Sequence, residues 1–510
     1  MRPARSTIVL LAVLLANAAV ILFFRFFITV DGPMHVLHAS LLEAPWTTHD
    51  HLAHGIIYDS EALRGWLGDR VLMVLLLFST PEQAHDLFAT LVSCTVVLSV
   101  FAFLRAHGTR PGLAILWLAP ITFSFVLILG LFHFLLGVAV SFATVAWWKW
   151  HERAPRMRLT GLLIGGLIAW STHRSAPILM CTIFLAAFLM EVAGRRTAAT
   201  TRERRNPLLQ VAIVGSLILV SALAMHRIVH GITLPLPREL PVFNEALLLR
   251  PLLLLDPVRE QWLVRSIGIL LVISLCAGIW ARTRLGRKLR SQDVPLALFL
   301  FFLLIAWLGN TPHGRQLLIA ERCQWLALVA MAMWLVAIAD VHRGTASKLI
   351  GILALLALPL HVVRIVQAEA SFFHLEPAHD LAIEAGDALA PGGLVFAVQA
   401  GPNALLQHLE AYVAVGHSGL LLTANEGLSF KGTSDRTAAR LRRMARDPYW
   451  MIRHWRTGIP PEVDQILFIG SDIERTTSKH PWSNLLPERW RLSFDNGYSR
   501  IYTRRTARDS

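Results

Sequence analysis

The chain has 510 residues, 55% hydrophobic and only 16% charged, whereas charged residues average about a quarter of a soluble domain. That excludes an ordinary soluble enzyme and makes the bilayer the main solvent. The net charge of +14 suggests nucleic acid, but the basic residues fall in short clusters between apolar runs of about 20 residues, so they read as orientation signals and nucleic acid is not an expected partner.

Arg2 and Arg5 precede an apolar run from Ile8 to Ile28. The run is too long for the core of a signal peptide and no small-residue cleavage site follows, so it reads as an uncleaved first span. The segment DGPMHVLHASLLEAPW comes next and opens an external loop of about residues 30–84. Asp31 is placed to cap a new helix with Pro33 in its first turn, which sets Asp31, His35 and His38 at i, i+4 and i+7 on one face. A carboxylate beside imidazoles suits a general base oriented by histidine. It also leaves room for a divalent cation, with His38 as a candidate ligand and His49, Asp50, His51 or His54 nearby. Val71–Phe78, bounded by Asp69, Arg70, Pro81 and Glu82, is too short to cross about 30 Å of hydrocarbon and reads as an interfacial or re-entrant helix.

Further apolar windows near 86–104, 112–129, 132–149, 159–172, 176–193, 208–226, 263–281, 294–309, 321–339 and 346–364 bring the total to about eleven transmembrane helices. Cys94, Cys181, Cys276 and Cys323 all lie in apolar segments, which leaves neither a disulfide framework nor a zinc motif. Basic clusters at 105–110, 149–158, 195–205, 282–290 and 343–348 mark cytoplasmic loops if the 71–78 helix does not cross. The N-terminus is then cytoplasmic and the C-terminal domain periplasmic or extracellular, as in a bacterial inner-membrane protein.

On the external side, the connections carry His133, Thr172-His173-Arg174, and then Asn310, His313 and Arg315, with Glu321 and Arg322 opening the tenth span. Ionisable groups at membrane depth mark substrate paths, and the planar fork of arginine suits a lipid phosphate or diphosphate. Local pairing of Glu321 with Arg322 or Arg315 is the plainer alternative. The tail has strands at Leu394–Val398, Leu420–Thr423 and Ile466–Ile469 and a helical pattern at Ala404–Val415. Its last strands, Trp490–Phe494 and Ser499–Thr503, flank Asn496-Gly497, a pair suited to a type I′ turn. The expected architecture is an α-helical polytopic membrane protein, with a transmembrane domain over 1–365 and a small soluble α/β domain over 366–510.

One span, a long external loop opening with an acidic residue, a non-crossing helix before the second span, and an external α/β tail together resemble the membrane glycosyltransferases of the C superfamily. That family's loop motif often pairs two carboxylates, whereas this chain has Asp31-Gly32. The resemblance implies a polyprenyl-linked sugar donor, a glycan or lipid acceptor, and Asp31 as the base on the acceptor hydroxyl, with inversion in a single displacement. The remaining residues are assigned by location: His35 beside the base, and Arg174, Arg315, Arg322, His173 and His313 around the departing phosphate. Competing expectations are a polysaccharide polymerase or ligase using the later loop, Arg227 to Trp262, a lipid or glycan transporter with broken spans and buried charge, or a non-catalytic scaffold.

Overall fold

The computed structural model describes residues 5–23, 27–43, 57–58, 66–196, 250–255, 257–285, 291–308, 318–342, 344–390, 393–400, 408–415, 420–421, 428–429, 459, 463–478 and 489–505. It divides into two compact units, Met1–Phe24 with Ala89–Glu369, and Arg25–Phe88 with Ala370–Ser510.

The architecture is that of an α-helical polytopic membrane protein with a small C-terminal sheet. Among the described residues, six helices are long and apolar enough to cross a membrane: Pro81–Ala106, Phe132–Trp150, Arg259–Arg284, Ser291–Leu308, Ile319–His342 and Thr345–Phe373. Thr7–Phe23 and Ala176–Met190 are shorter apolar helices. The helix Pro155–Thr172, expected as a span, is not among these; it carries Arg156 and Arg158, with the Arg158 guanidinium 4.0 Å over the Trp148 ring. The window at 208–226 lies outside the described residues.

In the first unit, the expected span at 112–129 is not one helix. It breaks into a 3-10 turn Leu113–Trp117 and short helices Leu118–Thr122 and Phe125–Ile128. Pro120 and the extended conformation at Phe123 and Ser124 interrupt the hydrogen-bond ladder, so carbonyls in an apolar interior need other donors. Fully buried Arg364 supplies them: its Nη2 donates to Pro120 O at 2.9 Å and to Phe123 O at 2.6 Å, and its Nη1 donates to Leu252 O. Trp325 Nε1 donates to Ile121 O at 2.8 Å.

Small residues set the packing of Phe132–Trp150, Pro155–Thr172 and Ala176–Arg196. A side chain at Gly137 would collide with Ala176, one at Gly165 with Thr144, and one at Gly161 with Trp147. Such close approach is how helices associate when lipid removes the hydrophobic drive between them. It brings the turn before Ala176 beside the start of the Phe132–Trp150 helix.

In the second unit, a five-stranded sheet runs in the order Leu420–Leu421, Leu394–Gln399, Gln465–Ile469, Ser499–Arg504, Trp490–Asp495. The first three strands are parallel and the last two antiparallel. Phe396, Ile466, Leu467, Phe468 and Ile501 are fully buried, and Ile57–Tyr58 of the first loop pairs with Leu428–Ser429. The expected final hairpin is present, but its turn is not type I′. Only Gly497 takes a positive φ, 82°, while Asn496 Oδ1 accepts from the amides of Tyr498 and Ser499. The Asn side chain closes the turn in place of a second left-handed residue.

Candidate functional site

The Asp31 segment belongs to the second unit. Asp31 O accepts the first helical bond, from His35 N at 3.2 Å, as an N-cap residue does, and the helix runs Gly32–Glu43. Thr29 Oγ1 lies 2.9 Å from His85 Nε2, and His85 Nδ1 lies 3.2 Å from Asp86 Oδ1. A Cβ at Gly32 would run into both Thr29 Oγ1 and His85 Nε2. Gly32 is therefore required by this packing, which leaves no room for a second loop carboxylate at that position.

Around Asp31 the unit gathers three carboxylate–imidazole contacts. His408 Nε2 is 3.9 Å from Asp31 Oδ1, and its Nδ1 is 3.6 Å from Glu410 Oε1. Burial alone would lower the pKa of His408, but the hydrogen bond and charge of Glu410, together with the charge of Asp31, outweigh burial and the repulsion from His35; the result is a raised pKa. His35 Nδ1 is 3.7 Å from Asp69 Oδ1, and Asp69 is buried. That spacing suits two ligands of one divalent cation. His38, the expected candidate ligand, is buried on the same helix. Asp31 itself stays 43% exposed, so one carboxylate edge remains open to a substrate hydroxyl.

The cationic residues belong to the first unit. His173 and Arg174 form the turn between Pro155–Thr172 and Ala176–Arg196. Phe134, beside His133, is a platform for His173 and Arg322: the Arg322 guanidinium sits 5.3 Å over its ring, and the His173 ring packs edge-on at 5.9 Å. His173 Nδ1 accepts the Ser175 amide at 3.1 Å and faces Ser175 Oγ at 2.7 Å. Burial, then the charges of Arg322, His133 and Arg174, lowers the His173 pKa to about 3. His173 is thus a neutral imidazole whose Nε2 carries the hydrogen. Such a ring offers an N–H for hydrogen bonding and carries no positive charge.

Arg322 stands in the first turn of Ile319–His342, where the helix dipole disfavours a cation and favours an anion. Glu321 Oε1 is 3.2 Å from Arg250 Nη1, and Arg250 lies 5.7 Å over Phe125. Arg315 and His313 lie outside the described residues, as do His49, Asp50, His51, His54 and most of the loop from Arg227. Sequence reasoning missed Asp69, read only as a boundary, and His408 with Glu410, whose His-x-Glu spacing in a short helical segment was the available signal.

The fold is that of a polytopic membrane protein, with carboxylate–imidazole contacts in one unit and arginine and histidine side chains gathered in the other. The chain is similar to two crystal structures of ArnT from Cupriavidus metallidurans, one in the apo state and one bound to undecaprenyl phosphate. Identity is 12% to each, the TM-score is 0.41, and coverage of both chains is 97% for the apo structure and 98% for the bound one. No family model and no curated protein matches the sequence.

Proposed function

We propose that this chain is an integral membrane glycosyltransferase that moves a sugar from a polyprenyl-linked donor to an extracytoplasmic glycan or lipid acceptor. Asp31 removes the proton of an acceptor hydroxyl, and the oxygen forms a bond to the anomeric carbon. The bond from that carbon to the phosphate oxygen breaks, its electron pair leaves with the lipid phosphate, and the anomeric configuration inverts. Arg322 and Arg174, with the Nε2–H of His173, stabilise the charge on the departing phosphate, each well-placed donor contributing about 3 kcal/mol in a dry site. Arg315 and His313 join them by sequence position. His35, held by Asp69, assists the base. The transmembrane domain is residues 1–365 and the soluble periplasmic domain 366–510, with the N-terminus in the cytoplasm.

The observation that carries this reading is the half-exposed Asp31 carboxylate at a helix start, 3.9 Å from one imidazole that is itself backed by a second carboxylate. The purified chain in lipid, given a panel of polyprenyl-phosphate sugars, tests it. Undecaprenyl phosphate, bound in one of the similar structures, is the first carrier to try. Wild type should transfer, and Asp31→Asn should fall at least about a hundredfold. Normal transfer by Asp31→Asn would move the site to the later loop, whose Arg250 reaches Glu321. The transporter reading calls for a broken span and a buried charge, and both are present. Arg364, however, is committed to backbone carbonyls of the break, which makes it structural.

A further inference from the structure

We infer that His408, backed by Glu410, is the positioning residue for the Asp31 carboxylate, so that the C-terminal part of the chain completes the base. This rests on the glycosyltransferase reading above. The two nitrogens of one ring face two carboxylates: Nε2 toward Asp31 and Nδ1 toward Glu410. An exposed carboxylate free to rotate is a poor base, and a misplacement of about 1 Å costs on the order of 100-fold in rate. A ring held at one side of Asp31 restricts that rotation and leaves the other carboxylate edge to the acceptor. The charged groups facing His408 are Asp31, His35 and Glu410.

The backbone supplies a second, independent observation. His408 sits in the left-handed region at φ 69° and ψ 13°, one of two described residues other than glycine with positive φ. Such a conformation is strained and persists only where the surroundings impose it. Glycine or asparagine would sit there with less strain. What histidine adds at this position is its ring between the two carboxylates.

The surroundings also explain why the distance is fixed. The helix Leu409–Ala414 that follows His408 is buried along its length, and its Tyr412 packs edge-on against His85 at 6.4 Å and His379 at 5.8 Å. His85 in turn holds Thr29, two residues before Asp31. The backbones that carry Asp31 and His408 are thus tied to the same buried aromatic cluster, although they lie 377 positions apart in sequence. An ordinary exposed ion pair would contribute little to stability and nothing to rate.

The test uses the full chain in lipid with the donor that wild type accepts. His408→Gly suits the left-handed backbone, so its melting temperature should equal or exceed that of wild type. Its kcat should fall about 10- to 100-fold with donor KM unchanged. Added imidazole should restore kcat saturably, while His408→Asn, which also tolerates the backbone, should stay low. In an Asp31→Asn background, His408→Gly should cost nothing further. Wild-type kcat in His408→Gly, a loss that imidazole fails to restore, or an additive loss in the double variant would overturn the inference alone, provided Asp31→Asn by itself shows the expected large but measurable fall. A wild-type chain that transfers no sugar, or an Asp31→Asn variant that transfers normally, sinks the glycosyltransferase reading and this inference with it.

Discussion

The two clusters differ in charge and in how they are held. Around Asp31 three carboxylates, Asp31, Asp69 and Glu410, alternate with two imidazoles, His35 and His408, at 3.6–3.9 Å. Around Phe134 the groups are His173, His133, Arg174 and Arg322, all neutral or cationic. Mixed charge allows proton transfer, because a carboxylate can stay ionised beside a cation. Cationic side chains gathered in one place suit an anion, through charge-assisted hydrogen bonds. The difference teaches that local chemistry separates a mixed-charge set from a cationic one, and the proposed base and phosphate clamp are drawn from these separate parts of the chain.

The largest expected effect breaks the comparison directly. Asp31→Asn should abolish transfer by about 100- to 10,000-fold while leaving affinity for polyprenyl phosphate unchanged, as measured by turnover and by equilibrium binding. Arg322→Gln should do the converse: polyprenyl phosphate binding should weaken about 10- to 100-fold, the scale of a lost charge-assisted hydrogen bond. If either variant shows the other's pattern, the division of roles is wrong.

Gly32→Ala probes the scaffold beneath the base. The added Cβ meets Thr29 and His85, so we expect a loss of about 1–3 kcal/mol in thermal unfolding, with little change in a Gly166→Ala control, where the nearest atom is Met180 Cε at 3.6 Å.

The smallest effect sharpens the contrast, since the two histidines titrate in opposite senses. His408 has a raised pKa, so its contribution to stability is complete below the unfolded value near 6.5 and is lost as pH rises through the folded value. His173, lowered to about 3, contributes above pH 6.5 and loses that contribution as pH falls toward 3. Melting curves of His408→Gln and His173→Gln against pH should flatten on opposite sides of neutrality. A shift on the same side for both would refute the assigned environments.

Much of this fold was legible from composition and periodicity. Apolar runs such as 321–339 and 346–364 reappear within the helices Ile319–His342 and Thr345–Phe373, because a lipid-facing segment must satisfy its own backbone and helix is the local way to do so. The strands at 394–398 and 466–469 were readable for a similar reason, as short apolar runs between turns. The break at Pro120 was not. Hydropathy cannot distinguish a continuous helix from an interrupted one when a distant residue, here Arg364, satisfies the freed carbonyls.

What the sequence determined by itself was the solvent, the element types and the position of Asp31 at a helix start, because these depend on spacing over a few residues. What only the tertiary structure decided was the company each ionisable group keeps: His408 beside Asp31, Asp69 beside His35, Arg250 beside Glu321, and a neutral His173. Charge interactions fall off with distance in space and take no account of separation along the chain. The groups that set the chemistry of a site are therefore chosen by folding.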